Sequence, residues 1–155
     1  MAKVTANGRE IACKARHGTS VVFPDVCFTL PPPPAPTGAT VTYTNSVFGR
    51  TMLPCTYTVY NKRKTMAVFP RARFKTSVGN EPSMTSPKKG FASNATKGMG
   101  MFVSSSFNVL FEFCPVCRDM DLVTHNHLAL SPVPNTAPIV YIAGKGKCKD
   151  GKCKK

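Results

Sequence analysis

An all-β fold of short strands and hairpins, with long irregular loops and little helix, is what this sequence predicts. Three observations carry the prediction. Thr40-Val-Thr-Tyr-Thr44 and parts of Cys55-Thr-Tyr-Thr-Val-Tyr60 alternate polar and apolar residues at period two, as half-buried strands do. No segment carries a 3.6-residue apolar stripe for more than about two turns. Fourteen prolines and eleven glycines in 155 residues interrupt any long helix.

Taken in order, the chain opens with Asn7-Gly8 between two short runs, a strong two-residue hairpin signal. Val21-Val-Phe-Pro-Asp-Val-Cys27-Phe28 reads as a second extended segment. Pro31 to Pro36 suits neither helix nor central strand and is expected as an exposed polyproline II arm. Asn61-Lys-Arg-Lys64 forms a charged turn into Met66-Ala-Val-Phe69, another short strand. Residues 76–98 have no apolar period and read as one long loop. Met101-Phe-Val-Ser104 and Phe107-Asn-Val-Leu-Phe-Glu-Phe113 return to strand composition, and Ile139-Val-Tyr-Ile-Ala143 makes a plausible last strand. The expected organisation is one domain over 1–143 and a lysine-rich, disordered tail over 144–155 containing Cys148 and Cys153.

A formal net charge of +14 points toward a polyanionic partner, and six lysines against one aspartate in residues 145–155 supply part of it. Aromatic residues do not interleave with those lysines, which weakens the case for stacking on single-stranded bases. No run approaches the roughly twenty apolar residues that cross a bilayer. The start lacks the apolar region of a signal peptide, so synthesis in the cytoplasm is expected. Seven cysteines, an odd number, then read as free, metal-binding or late-oxidised thiols rather than a disulfide framework.

The densest chemistry lies in Cys114-Pro-Val-Cys117-Arg-Asp-Met-Asp-Leu-Val-Thr-His125-Asn-His127. It holds two of the three histidines. A Cys-x-x-Cys turn and a His-x-His strand supply the four ligands that tetrahedral zinc prefers, although the spacing matches no zinc finger. The expected site is therefore a structural zinc held by Cys114, Cys117, His125 and His127, stapling a thin core. Cys13, His17 and Cys27 are competing ligands, and Asp119 or Asp121 would orient an imidazole. Catalysis finds little support. His125-Asn126-His127 spells the letters of HNH nucleases, but their residues are dispersed over a ββα unit. A redox Cys-x-x-Cys wants a helix N-terminus, absent here. No nucleophile triad, phosphate loop or carboxylate pair stands out, and the expectation is a protein that is not an enzyme.

Four landmarks taken together carry a family resemblance: Ala6-Asn-Gly-Arg-Glu-Ile-Ala-Cys13-Lys14, Phe23-Pro-Asp-Val-Cys27-Phe-Thr29, Pro31-Pro-Pro-Pro-Ala-Pro36, and Arg118-Asp-Met-Asp-Leu-Val-Thr-His-Asn-His127. From about residue 3 to residue 127 the chain resembles the PAAR-like spike-tip proteins of bacterial contractile injection systems, companions of type VI secretion. The resemblance implies a small conical β-fold whose base sits on a trimeric VgrG-type spike and whose point, with zinc nearby, faces outward. It makes His125 and His127 the leading ligands and Cys117 the next. The chain departs from the family at Ala39 to Asn45, where a Pro-Ile-Pro-Tyr-Pro-Asn run is usual, and at Asp119, which stands where a histidine is often found. Cys114 matches no family position.

The implied function is a structural tip that sharpens the spike for membrane puncture and effector delivery. Its partners would be the spike trimer, a secreted effector or toxin, and transiently the target membrane, with nucleic acid not expected. It would assemble on the apparatus and be delivered outside the cell or into a target. Segments 40–47 and 101–111 are the expected base. The alternative is a zinc-stabilised basic nucleic-acid-binding module.

Overall fold

The computed structural model describes residues 4–30, 38–61, 63–129, 131, 133–144, 148–149 and 152–153, the last two pairs for backbone only. Short strands and 3-10 turns make up the chain, in keeping with the all-β expectation. In order they are β1 Thr5–Ala6, β2 Arg9–Glu10, β3 Thr19–Thr29, β4 Ala39–Phe48, β5 Tyr60–Asn61, β6 Lys64–Thr65, β7 Arg73–Phe74, β8 Ser77–Val78, β9 Met99–Phe102, β10 Leu110–Phe111, β11 Cys114–Pro115, β12 Leu122–His127, β13 Ile139–Val140, β14 Cys148–Lys149 and β15 Lys152–Cys153. A four-stranded sheet runs β13-β12-β9-β7, and a three-stranded sheet runs β3-β4-β8.

Three hairpins organise the chain. They are β1-β2, β5-β6 and β10-β11, and each is followed by a bridging tripeptide: Ile11-Ala12-Cys13, Met66-Ala67-Val68 and Val116-Cys117-Arg118. The tripeptides close on one another. Cys13 bridges Met66, Val68 bridges Val116, and Arg118 bridges Ile11. At the centre Ala12 N donates to Cys117 O, Cys117 N to Ala67 O, and Ala67 N to Ala12 O, each at 2.9 Å. One chain thus builds a pseudo-threefold ring in which every central N–H and C=O is satisfied by the next unit. The middle residues are small and fully buried, as the close approach requires.

Beyond the ring the chain feeds the two sheets, and the buried core runs from the ring into the four-stranded sheet. Phe74, Phe102 and Tyr141 pack with centroids 5.3–5.7 Å apart, Phe102 meeting Tyr141 edge-on. Gly18 is required there, because a Cβ would lie 2.1 Å from the Tyr141 hydroxyl.

The Asn7-Gly8 hairpin forms as the sequence predicts, with φ of 53° and 75° at the two turn residues. Several strands are shorter than expected. Residues 55–59 and 107–109 are irregular approaches to β5 and β10, and 66–69 joins the ring rather than a sheet. The expected long loop holds β8 and a 3-10 turn, Glu81–Thr85. The polyproline arm, Pro31 to Pro36, lies outside the described residues. Within the tail, β14 pairs with β15, and the rest lies outside them too. Segment 40–47 falls in β4, paired along its length with β3 on one side and at Ser46 and Val47 with β8 on the other.

Phe74→Ala is expected to cost about 3–5 kcal/mol of unfolding free energy, because a fully buried ring with two aromatic neighbours leaves a cavity that the sheets cannot close. A denaturant titration measures it. A change near zero would mean that this packing does not hold the sheets together.

Candidate functional site

The expected zinc ligands are placed apart. Cys114-Pro-Val-Cys117 does not turn back as a chelating loop. It runs on from β11 into the ring, because its backbone is claimed by Val68 and Ala67. Cys117 sits fully buried in the core, where burial first, then Asp121 and Cys55, push its thiol well above the usual range. Cys114 packs at the core's margin.

His125 and His127 do not present two rings to one ion either. Asn126 between them has φ of 59°, and the β12–β9 register shifts there, which breaks the alternation that an extended His-x-His assumes. His125 Nε2 lies 3.1 Å from Ser20 Oγ, while His127 Nε2 lies 2.8 Å from Thr124 Oγ1 and its Nδ1 2.9 Å from Ser131 O. Burial lowers the His125 pKa to about 4 and lowers that of His127 too, so both rings are neutral near pH 7. Among the described residues no three His, Cys, Asp or Glu side chains converge, and the competing ligands Cys13, His17, Cys27 and Asp119 form no such group. The donors expected for zinc are not placed to share a tetrahedral ion.

What the structure brings together instead is a buried carboxylate ringed by amides. Asp25 is fully buried on β3. Asn45 Nδ2 donates to its Oδ2 at 2.5 Å, Asn80 Nδ2 at 2.9 Å and Asn126 Nδ2 at 3.3 Å, and Asn135 Nδ2 donates to Oδ1. Cys27 Sγ sits 3.8 Å from Oδ1, and burial and then the Asp25 charge raise its pKa to about 11. The amide oxygens reach onward. Asn80 accepts from Lys97 N, Asn126 from Gly98 N, and Asn135 from Ala92 N. One carboxylate therefore ties segments 80–98 and 126–135 to the β3-β4 arm. Sequence reasoning missed these residues. The available signal was a lone acid in the apolar run Val21 to Phe28.

The second constellation is the face carrying the three hairpins. The turn Glu112-Phe113 has φ of 52° and 61°, a left-handed pair without glycine. Such turns match strand twist, but bulky residues are strained in them. Glu112 is held from the neighbouring unit: its Oε1 accepts from Tyr57 N and Thr58 N, both at 2.7 Å, and its Oε2 from Arg71 Nη1 at 3.3 Å. The Thr58 backbone N–H leads the contacts that lower its carboxyl pKa. The first hairpin tip does likewise, Asn7 Oδ1 accepting from Ser106 Oγ at 2.7 Å and from Arg118 Nη1 at 3.0 Å. Each of these tips is thus latched to the segment entering another hairpin. Around them stand Phe107, 97% exposed, and Phe113, 99% exposed, with Tyr57, Tyr60 and Leu110 also exposed.

A family model described as the toxin PAAR-like domain matches residues 18–144. The chain belongs to that family. The resemblance to PAAR-like proteins of type VI-related injection systems is upheld. The PAAR-like chain is also 40% identical over 154 residues to the DNase toxin Tse7 of Pseudomonas aeruginosa, an alignment covering 96% of this chain and 40% of the toxin. No solved structure matches. The expectation of a protein without enzymatic activity is corrected by this relative, which is named as a nuclease toxin. That expectation rested on missing catalytic spacings, and the PAAR-like chain spans only two fifths of the relative's length. Among the described residues no helix is long and apolar enough to cross a membrane.

Asp25→Ala is expected to destabilise the PAAR-like domain by about 3–5 kcal/mol, because several buried amides lose their acceptor at once. Hydrogen exchange should rise first at Gly98 and Lys97. Protection at those amides equal to wild type would show that the cage does not hold the segment.

The lowered Glu112 pKa gives a pH dependence with a definite sign. Its stabilisation is present above the unfolded value near 4.5 and is lost as pH falls through the depressed folded value. Thermal melts from pH 7 to pH 3 should show a smaller acid-side decline for Glu112→Gln than for wild type. Parallel curves would remove Glu112 as a latch.

Proposed function

We propose that this chain is the PAAR-like tip module of an injected toxin, seated by its three hairpins on the end of a trimeric VgrG-type spike. The observation that carries this is the pseudo-threefold ring. Three hairpins related by an internal threefold offer three comparable contacts to a partner with true threefold symmetry, so one copy can seat on a trimer without leaving a protomer unmatched. Exposed aromatics support the reading, because Phe and Tyr side chains open to solvent, Phe107 and Phe113 above all, are the usual anchors of protein interfaces. The strained Glu112-Phe113 turn supports it too. Strain concentrates where a side chain must be presented, and Phe113 is presented almost wholly to solvent.

On this reading the tip narrows away from the hairpins and meets the target membrane first during puncture. The toxin delivered with it acts on DNA, by the name of the relative. Rigidity under load comes from closed backbone pairing and the Asp25 cage.

Co-purification of the chain with a trimeric VgrG-type spike protein tests the docking. A Phe107→Asp, Phe113→Asp double variant should lose at least about ten-fold in affinity while melting as wild type does, because both rings are exposed in the free chain. Undiminished association would overturn the hairpin face as the seat. Salt-sensitive DNA binding without spike association would favour the nucleic-acid module instead.

A further inference from the structure

At the end of the strands remote from the hairpins lies a basic cavity of about 280 Å3, lined by Lys75, Lys89 and Lys97 with His127, Met99 and Leu128. β12 leaves the ring just after Arg118 and reaches this cavity at His127, which pairs with Met99. No carboxylate lines it. The nearest recorded acid is Glu81, whose Oε1 lies 3.8 Å from Lys97 Nζ, at the surface where such a pair is weak. His127 is neutral and has both ring nitrogens engaged, so the lysines supply the charge. Three lysines lining one concave wall focus a positive field and favour an oxyanion.

The wall is built, not incidental. Lys97 and Asn94 hold left-handed backbone, φ of 54° and 53°, and Lys97 N donates to Asn80, itself a member of the Asp25 cage. The buried carboxylate therefore fixes the loop that carries Lys89 and Lys97. Beside the cavity the same loop exposes Phe91, 67% accessible, whose ring stacks on Phe28 at 5.8 Å. Lys88 Nζ lies 5.8 Å from the centroid of Phe28, and Phe28 N donates to Lys89 O.

We propose that this cavity binds the phosphate of an anionic lipid headgroup, with Phe91 entering the bilayer interface beside it. A single open pocket of about 280 Å3 offers room for a headgroup phosphate but no extended track, whereas a nucleic-acid strand asks for a groove that follows its backbone. An exposed aromatic next to lysines is the composition that settles at a lipid–water boundary. The choice of lipid rests on the spike-tip reading, since it is that reading which brings this end to a membrane. The test needs no spike, so the two readings fail separately.

The full chain is mixed with vesicles of phosphatidylcholine, with and without phosphatidylglycerol, and separated by flotation. Wild type should float with phosphatidylglycerol vesicles only. A Lys75→Ala, Lys89→Ala, Lys97→Ala variant should lose about ten-fold or more in partitioning, and Phe91→Ser should lose less. A Lys14→Ala, Arg63→Ala, Lys64→Ala variant, changed in and next to the hairpins, loses the same three charges, keeps wild-type binding and controls for net charge. Matched melting curves confirm that the variants fold. Equal flotation of the triple variant and wild type would sink the site. Binding of inorganic phosphate lost in the triple variant, without flotation of wild type, would sink the lipid as its source. Binding of DNA in place of vesicles, abolished by the same substitutions, would overturn the lipid in favour of nucleic acid.

Discussion

The closed exchange of backbone hydrogen bonds among Ala12, Ala67 and Cys117 is the constraint on which the molecule depends. Each residue is both donor and acceptor to a different neighbour, so none of the three tripeptides can leave without breaking two contacts. The cycle joins segments from the start, middle and late part of the chain, which makes it long-range and costly to nucleate. Once formed, it sets the direction of every hairpin that precedes it and of the strands that follow it.

Asp25 does at the other end what the ring does at the first. Long connections would ordinarily leave 80–98 and 126–135 with little apolar burial to hold them, and amide-to-carboxylate contacts supply the missing cohesion. The buried Asp25 carboxylate is tolerated because several donors share it, and hydrogen bonds to ionised groups are stronger than neutral ones. Burial holds His125 beside it neutral against the pull of the carboxylate, so the amides carry the charge.

What could be read in the sequence was local. Asn7-Gly8 specifies its own turn, because both residues accept left-handed backbone, and the period-two segment at 40–44 forms part of the longest hairpin arm. The Glu112-Phe113 turn was illegible, since nothing local favours it and its support comes from Tyr57, Thr58 and Arg71. The path of Cys114 and Cys117 was illegible for a related reason. Their spacing suits a chelating turn and an extended run equally well, and Ala67 and Val68, remote in sequence, decide between them. The four asparagines around Asp25 are scattered from 45 to 135 and share no spacing, so no pattern announces the cage. The family motifs were legible because four short landmarks coincided in order, but they did not say where the side chains go.

The three hairpin units belong to one chain, and this has an evolutionary consequence. In a true trimer any substitution appears three times, so an arm cannot change alone. Here each arm is free to differ: the first tip is Asn7-Gly8, and the third is Glu112-Phe113. Selection can tune one arm for grip and another for tolerance while the backbone cycle keeps all three in place. Symmetry is kept where geometry needs it and given up where chemistry gains from variety.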